Sequence, residues 1–404
     1  MMEYQFRCHR CSWSGSASDN PTWCPACHGR LEIELEELPE TLVTDETQYN
    51  LNRYKTWLPF SETELHSLGE GWTPLLQAPH LSSLSSPGTT DTVLIKNETL
   101  NPTWSWKDRM AASVVSHAIA TGADRIATST TGNHGSAVAA YASKAGIDRV
   151  IVIVNPSSES PHHAQIRAYG AETVELTSEA EAPRLLEELH EMGWFVAYGL
   201  EGYYTGQPFV YEGYKTIAFE LVEQYGIPDA VVAAVGAGDG FYGVWKGFRE
   251  LASAGIIDEP PAMCSAEAAE RHPLANAFEA GDDTIGEDPG PEPLSTSTKS
   301  PTTGDHALSA VRDSGGQPMV IDREHMSAAL KAAGRDGVFL EPASALAAAG
   351  AAKLADGDTF ETVVAIGSGA GVAWPEKTIS ILGGYPTIEP TIESLAATVP
   401  FKLQ

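Results

Sequence analysis

The chain has 404 residues, enough for two or three domains with a full hydrophobic core. Its 54 acidic residues outnumber the 25 basic ones, and the resulting net charge of -29 disfavours nucleic acid and anionic membranes as partners. The sequence has no apolar run of about 18 residues and no N-terminal basic region followed by an apolar stretch, so we expect a cytoplasmic protein. A surface this acidic suits a salt-rich cytoplasm, which screens the self-repulsion of the carboxylates, and it predicts a halophilic source.

Four of the five cysteines form two short pairs near the N-terminus. The pairs are Cys8-x2-Cys11 and Cys24-x2-Cys27, and twelve residues separate them. Four thiolates from two such turns can close a tetrahedron around Zn²⁺, whereas two disulfides or free thiols from a lost site are the alternatives. Because a catalytic zinc keeps an open ligand position, the closed set predicts a structural zinc ribbon. We assign residues 1–45 to this ribbon and to an acidic connector that starts at Leu31.

Apolar, β-branched runs alternate with helical segments along the rest of the chain. The runs are at 149–154, 230–235 and 362–366, and the helical segments are at 111–120, 137–145, 212–225 and 343–355. Nearly continuous Val and Ile runs between helices predict parallel strands that are buried on both faces, hence an α/β fold with parallel-rich sheets. Residues 280–304 are rich in Gly, Pro and Asp and are interpreted as a surface loop or a partly disordered insertion without a chemical role.

Lys107 follows an apolar strand and an Asn-Pro-Thr turn, and it precedes an Ala-rich helix. Desolvation beside Trp106 and the positive end of the helix dipole both favour the neutral amine. Since a neutral amine can attack an aldehyde, this lysine is suited to Schiff-base chemistry. The alternative is a solvated surface group, as most lysines near helix starts are.

Three polar, glycine-containing loops follow predicted strands, which is where ligands bind in open α/β sheets. The first combines hydroxyl groups with a helix N-terminus and can bind a substrate carboxylate; its candidate residues are Thr130, Thr131, Gly132 and His134. The second can wrap a phosphate with backbone N–H groups; it is Gly236-Ala237-Gly238-Asp239-Gly240. The third, at 367–371, contains Ser368. Each loop taken alone also fits an ordinary cap or turn.

Together, an amine nucleophile, an anion cradle, a carboxylate loop and a hydroxyl site indicate one ligand, pyridoxal phosphate. Lys107 would hold the aldehyde and residues 236–240 the phosphate. Asn133 would bond the ring hydroxyl, and Ser368 the pyridine nitrogen. A serine cannot keep that nitrogen protonated as a carboxylate would, which favours elimination and replacement over transamination.

The motifs resemble those of the fold-type II pyridoxal-phosphate enzymes, most closely the threonine synthase family. The matching residues are Lys96, Glu98, Asn101 to Thr103, Ser105, Lys107 to Arg109, Thr130 to Asn133, Gly236 to Gly240, Gly247, Phe248, Glu341 to Ala345, Ser368 and Gly369. The resemblance implies a two-lobed catalytic domain over 46–404, with a small lobe at roughly 108–205 inserted in the large one. It implies a lyase that acts on a small amino acid by elimination or replacement at the side chain. Many members also carry an N-terminal four-cysteine ribbon.

Several positions depart from the family pattern. Trp104 and Met110 stand where the family has Gly, and His134 stands where threonine synthases have Thr. Val210 replaces the Arg that grips the substrate phosphate, and losing that bidentate clamp weakens phosphate recognition. Asp239 places a carboxylate inside the phosphate cradle, where it would repel the anion unless it points away.

These departures leave alternatives open. Lys215 and Arg167 are candidate anchors for an anionic substrate in place of the missing Arg, and His134 is a candidate second acid or base or a structural histidine. The alternative activities are a threonine or serine dehydratase and a diaminopropionate-type ammonia-lyase. A third interpretation is a non-catalytic paralogue whose ribbon and acidic surface bind proteins. The expected partner is a small amino-acid substrate, and the assembly considered is a homodimer.

Overall fold

The computed structural model describes residues 3–43, 45–60, 65–85, 92–154, 161–198, 207–357 and 359–399. The strands in these ranges are β1 (Tyr4–Cys8), β2 (Ser14–Ser16), β3 (Leu31–Leu35), β4 (Leu75–Gln77), β5 (Thr92–Asn97), β6 (Arg125–Thr130), β7 (Arg149–Val154), β8 (Glu172–Glu175), β9 (Phe195–Tyr198), β10 (Ala230–Ala234), β11 (Ala262–Ala268), β12 (Pro318–Ile321) and β13 (Thr362–Gly367). The α-helices are α1 (Pro79–Ser82), α2 (Lys107–Ala120), α3 (Asn133–Lys144), α4 (Pro161–Ala168), α5 (Ala182–Glu191), α6 (Phe209–Tyr214), α7 (Thr216–Gln224), α8 (Asp239–Ser253), α9 (Pro273–Ala280), α10 (Asp305–Asp313), α11 (Arg323–Arg335), α12 (Pro342–Leu354), α13 (Pro375–Leu382) and α14 (Ile392–Thr398). Among the helices so described, none combines the length and the apolar character that crossing a membrane requires.

The N-terminal residues form a small antiparallel sheet in the order β2-β1-β3. Phe6 on β1 pairs with Ile33 on β3, and both side chains are fully buried. The assignment of residues 31–35 to an acidic connector was therefore wrong. The alternation of Leu and Ile with Glu in this segment is a strand pattern, and it places the apolar side chains inside and Glu34 beside Arg7.

A six-stranded sheet in the order β12-β11-β10-β13-β5-β4 forms the centre of the catalytic part. All pairings are parallel except that of β4 with β5. Every residue of β10 is buried, because helices cover both faces of the sheet. The α/β fold with parallel-rich sheets is confirmed, and the carboxyl ends of β5, β10 and β13 lie side by side.

A second sheet, with four parallel strands in the order β8-β7-β6-β9, comes from the stretch between β5 and β10 in the chain. Its strands lie within the segment that the sequence assigns to a small lobe, 108–205, although the boundaries of that lobe stay a prediction. The carboxyl end of β6 leads into the loop at 130–133 and then into α3. The second sheet therefore presents the predicted carboxylate loop toward the first.

The single helix predicted at 212–225 is two helices, α6 and α7, with Lys215 between them. The helix starts earlier than predicted, and Gly213 allows α6 to lie directly against the carbonyl group of Arg109 on α2. Thr216 Oγ1 donates to the carbonyl oxygen of Gly213 at 2.6 Å and accepts from Arg109 Nη1 at 2.9 Å. These long-range contacts favour a break in the helix that its local sequence does not show.

A buried ion cluster joins β5, α2 and α7. It consists of Lys96, Glu98, Arg109 and Glu220, whose side chains are completely buried. Arg109 donates to Glu98 Oε2 and to Glu220 Oε1, each at 2.6 Å, and Lys96 Nζ lies 2.6 Å from Glu220 Oε2. With two positive and two negative members the cluster is neutral, and it fixes the first turn of the helix on which Lys107 lies.

Candidate active site

The turn before Lys107 is held against the end of β13. Trp106 N–H donates to the carbonyl oxygen of Ser368 at 2.9 Å, and Ser105 forms an isolated bridge with Gly369. Trp104 has a φ of 72°, in the left-handed region that glycine favours, which explains why the family has Gly at this position. Such a conformation costs about 1–3 kcal/mol and is kept because the surrounding contacts fix it.

Lys107 is the first residue of α2, and its half-buried side chain lines a cavity. Burial lowers the pKa of the Lys107 ammonium, and the carboxylates of Asp239 and Glu341 oppose that change. The Lys107 Nζ atom is 5.7 Å from the centre of the Tyr214 ring. The interpretation of Lys107 as an ordinary solvated lysine does not fit this position, because its desolvation favours the neutral, nucleophilic amine.

The second glycine loop lies between the end of β10 and the start of α8. Gly238 has a φ of 98°, so the chain turns there in a conformation that suits glycine. A Cβ atom at Gly236 would lie 2.8 Å from the carbonyl oxygen of Ser297, and one at Gly240 would lie 2.5 Å from the Trp106 ring. Side chains at these positions would therefore fill the space, and the α8 N-terminus adds a positive partial charge for an anion.

One cavity brings the predicted cofactor residues together. Its lining contains Lys107, Asn133, Gly236, Ala237, Gly238, Asp239, Gly240 and Ser368, and also Trp106, Ala234, Phe241, Ser297, Thr298, Glu341 and Ala343. All eight residues that the sequence predicts for the cofactor line this cavity. They come from the carboxyl ends of three adjacent strands and from the N-terminus of α3.

The polar groups in this cavity fit pyridoxal phosphate. Asn133 donates from Nδ2 to Glu341 Oε2 at 3.0 Å, while its Oδ1 is buried and accepts no hydrogen bond from the described residues. This unused acceptor matches a phenolic hydroxyl donor. Ser344 Oγ accepts from the Gly369 N–H group and lies 3.1 Å from Ser368 Oγ. When Ser344 donates its single proton to Ser368 Oγ, the proton of the Ser368 hydroxyl is left to donate to a ring nitrogen.

Glu341 lines the cavity and Ser344 contacts Ser368 from outside it, and the sequence assigned neither residue a role. Burial raises the pKa of Glu341, against the effect of its hydrogen bond from Asn133. The only signal was their position in the family-like segment Glu341 to Ala345, which precedes most of α12. Their contacts reach 208 and 24 residues along the chain, to Asn133 and Ser368, so a local pattern does not reveal them.

The four residues predicted for the substrate carboxylate do not line this cavity. Thr130 Oγ1 accepts from the N–H groups of Gly132 and Gly135, so it stabilises the turn into α3. His134 Nε2 lies 2.9 Å from Thr128 Oγ1, and burial lowers the His134 pKa to about 3, which supports the structural alternative over an acid or base. The substrate role of Thr130, Thr131, Gly132 and His134 stays a prediction.

The two alternative anchors for an anionic substrate are not at the cavity. Lys215 is completely buried, and its Nζ lies 2.6 Å from Glu212 Oε2 and 2.9 Å from Glu250 Oε2. Arg167 is exposed on α4. The prediction for Lys215 was wrong, because its ammonium group is held inside an ion cluster, and Val210 itself is buried in the hydrophobic core.

The segment 280–304 forms part of the site wall, so the expectation that it has no chemical role was wrong. Ser297 and Thr298 line the cavity, and Ser297 Oγ donates to Glu341 Oε1 at 3.3 Å. At the end of the same segment, Thr303 Oγ1 donates to the carbonyl oxygen of Gly236, and the Gly304 N–H group donates to the carbonyl oxygen of Ala237. Turn-forming residues of this segment bond the backbone carbonyl groups of the cradle. The composition of the segment therefore resembles that of a surface loop.

The four N-terminal cysteines meet in one cluster, with all four Sγ atoms within 4.8 Å of one another. Cys8 Sγ is 3.5 Å from Cys27 Sγ, and Cys11 Sγ is 3.6 Å from Cys24 Sγ. Tetrahedral zinc with Zn–S bonds of about 2.3 Å needs sulfur separations of roughly 3.8 Å. All four thiols are free, so the two-disulfide alternative is not the arrangement in this structure.

Residues 66–369 match the family of pyridoxal-phosphate dependent enzymes. The chain belongs to this family, as its motifs predicted. Among curated relatives, the threonine synthase of Methanocaldococcus jannaschii is 31% identical, over 92% of this chain and 94% of the relative. The threonine synthase of Methanosarcina acetivorans is 29% identical, over 98% of both. These matches support a pyridoxal-phosphate-dependent lyase similar to threonine synthases.

Solved structures share the fold. Threonine deaminase isoform 2 from Solanum lycopersicum matches with a TM-score of 0.68 and 21% identity, over 85% of this chain and 95% of that one. Maize serine racemase matches with a TM-score of 0.65 and 19% identity, over 77% and 91%. At these identities the matches show a common architecture, that of the fold-type II enzymes, and leave the reaction to be argued from the site.

Proposed function

We propose that the protein is a threonine synthase-like lyase that removes the side-chain leaving group of a small amino acid and adds water. The observation that carries this proposal is the cavity at the ends of β5, β10 and β13, where Lys107 faces a glycine cradle. The full-length similarity to threonine synthases supports it. A non-catalytic paralogue has no need to keep Lys107, Asn133 and Ser368 around one cavity.

In this proposal the cofactor is held at both ends. The N–H groups of 236–240 and the start of α8 would bind its phosphate, and Lys107 would bind its aldehyde carbon. Asn133 Oδ1 would accept from the ring hydroxyl, and Ser368 Oγ would donate to the ring nitrogen. When bound, pyridoxal phosphate supplies an electron sink for the negative charge that forms at the substrate α-carbon.

The remaining chemistry falls to the side chains of this protein. Lys107, released from the cofactor by the substrate amine, would take the proton from the α-carbon and return it later. It can do so because desolvation favours its neutral form. Glu341 would hold Asn133 in position, and the hydroxyls and amides of 130–134 would bind the substrate carboxylate.

A second candidate is a threonine or serine dehydratase, or a diaminopropionate-type ammonia-lyase. Its support is Val210, which places an aliphatic, buried side chain where threonine synthases have the phosphate-binding Arg. These enzymes need no phosphorylated substrate, and product release would follow hydrolysis of the eliminated product to a ketoacid and ammonia.

The two candidates are separated by assaying pure protein, loaded with pyridoxal phosphate in high salt, with four substrates. These are O-phosphohomoserine, threonine, serine and diaminopropionate. We expect threonine and inorganic phosphate from O-phosphohomoserine. Ketoacid and ammonia from the other three, with no turnover of the phosphorylated substrate, would establish the second candidate instead.

We further propose that the cluster of Cys8, Cys11, Cys24 and Cys27 binds one structural zinc ion. The N–H group of Arg10 donates to Cys8 Sγ at 3.3 Å, as backbone amides do toward metal-bound thiolates, and the set leaves no open position. The ion would join the end of β1 and the turn after it to the loop before β3, and its binding energy would be folding energy for the ribbon.

Zinc removal is expected to destabilise the protein. Changing Cys24 to Ala should lower the zinc content, measured by elemental analysis, from one per chain to below about a tenth, and lower Tm by several degrees. Cys264 is a matched control, since it is buried in β11 outside the cluster. Cys264→Ala should leave the zinc content at one. Metal-free wild-type protein after expression with zinc would contradict the proposal.

The domain bounds, the cellular location and the assembly of the protein are further proposals. We propose a ribbon unit at 1–45, a catalytic domain at 46–404 with its small lobe at roughly 108–205, a cytoplasmic location in a salt-rich organism, and a homodimer. The acidic composition supports the salt-rich setting. Unfolding curves that shift to higher temperature as salt is raised would support a halophilic source, and sedimentation of the holoenzyme would give its assembly state.

A further inference from the structure

A basic side chain from the ribbon lies close to Gly304, whose N–H group donates to the carbonyl oxygen of Ala237 in the phosphate cradle. A Cβ atom at Gly304 would lie 2.6 Å from Arg30 Cζ, and it would also overlap the His306 ring. His306 in turn has its Nε2 atom 3.4 Å from Asp239 Oδ1, and its ring contacts the space above Gly238. Arg30 is thus close to the cradle in space, although it follows the last cysteine pair in the sequence.

Three further side chains share the environment of Arg30. Burial raises the pKa values of Tyr198 and Tyr211 well above the usual value; Asp239 adds to both increases and Arg30 opposes them. Burial lowers the His306 pKa to about 4, and Arg30 adds to that change. His306 is therefore neutral, whereas a guanidinium group stays charged at any ordinary pH. The positive charge of this group of residues comes from Arg30.

Unused hydrogen-bond donors point to a ligand here. The hydroxyl groups of Tyr211 and Tyr214 are buried and make no hydrogen bond with any described residue. Buried donors of this kind cost free energy unless a ligand or water satisfies them. Both tyrosines are on α6, the helix in which Val210 replaces the expected Arg.

The position of Tyr198 relates this group of residues to the substrate. Tyr198 ends β9 in the four-stranded sheet, and its ring lies 4.9 Å from that of His134, in the loop predicted to bind the substrate carboxylate. The cofactor phosphate, by contrast, already has the N–H groups of 236–240.

We infer that Arg30, carried by the four-cysteine ribbon, binds the anionic side-chain group of the substrate in place of the arginine missing at position 210. The inference rests on the proposed function, and the substrate class is an O-phosphorylated amino acid. The hydroxyls of Tyr211 and Tyr214 donate to the same group. The ribbon is then a part of the substrate site, and phosphate recognition depends on its correct folding.

The probe is inorganic phosphate, titrated calorimetrically into holoenzyme saturated with pyridoxal phosphate. Arg30→Gln should weaken phosphate binding by about 30-fold, because it removes charge-assisted, bidentate hydrogen bonds. Arg30→Lys should recover part of the affinity. The matched control is Arg7→Gln on the same ribbon, whose side chain is exposed and paired with Glu34, and it should change binding less than about twofold.

Two further measurements distinguish whether Arg30 binds the phosphate group of the substrate or that of the cofactor. For O-phosphohomoserine, Arg30→Gln should raise KM by a similar factor while kcat changes less than about threefold, and the affinity for pyridoxal phosphate should stay unchanged. Equal loss of cofactor affinity would overturn the inference, since Arg30 would then serve the cofactor phosphate. Wild-type protein that binds no phosphate, or Arg30→Gln that binds it normally, would overturn it too. Absence of turnover alone would count against the proposed function, because the titration tests Arg30 independently.

Discussion

Lys107→Ala is expected to lower kcat by about 10³- to 10⁶-fold, the range seen when a nucleophile that also moves protons is removed. In the structure this amine lies in the cavity opposite the glycine cradle, and burial favours its neutral form. Without it, the cofactor has no covalent attachment, and the α-proton has no acceptor at that position. Turnover is measured by phosphate release, and attachment by mass spectrometry of peptides after borohydride reduction.

The matched control for this prediction is Lys144→Ala, which removes an exposed lysine at the end of α3. It should keep full activity and the reduced adduct on Lys107. Cofactor binding without covalent attachment should persist in Lys107→Ala, because the glycine cradle is intact. If Lys107→Ala kept more than about a tenth of the wild-type kcat, the nucleophile would be another amine and not Lys107.

The residues that we propose to hold the cofactor could be expected to meet from the sequence, because each belongs to a short motif with a direct chemical reason. Lys107 precedes a helix, Gly236 to Gly240 follow a buried strand, and Ser368 follows another. Parallel strands end at the same edge of a sheet, so the order of strands and loops was enough to place these residues together. The structure brings all of them to one cavity, and their cofactor roles stay a proposal.

What the sequence missed depends on contacts between distant segments. Glu341 meets Asn133 across 208 residues, and the break at Lys215 comes from packing of α6 against α2. The loop around Ser297 has the composition of a surface insertion, yet it closes the wall of the cavity. Arg30 reaches the cradle only because the ribbon folds against α8 and α10, which no local pattern encodes. The residue type of Lys215 alone did not show whether its ammonium group binds an anionic substrate or is buried in an ion cluster, as it is in the structure.

Glu220→Gln is expected to destabilise the protein by about 3–5 kcal/mol, since it leaves Lys96 and Arg109 with one carboxylate between two buried positive charges. The matched control is Glu188→Gln, which breaks an ion pair with Arg184 between side chains that are more than half exposed. That change should cost less than about 1 kcal/mol. Urea unfolding, followed by circular dichroism at constant salt, measures both free energies.

The pH dependence of this difference gives a second test with a defined sign. Burial alone would raise the pKa of Glu220, but Arg109 and Lys96 lower it from 4.5 to about 2. The carboxylate therefore contributes its full stability above pH 4.5, and the contribution is lost as the pH falls from there through about 2. The gap in unfolding free energy between wild type and Glu220→Gln should shrink over that interval, while the gap for Glu188→Gln stays small. A gap that stayed constant down to pH 2 would mean that Glu220 titrates alike in the folded and unfolded chains, and that the charges holding the first turn of α2 come from elsewhere.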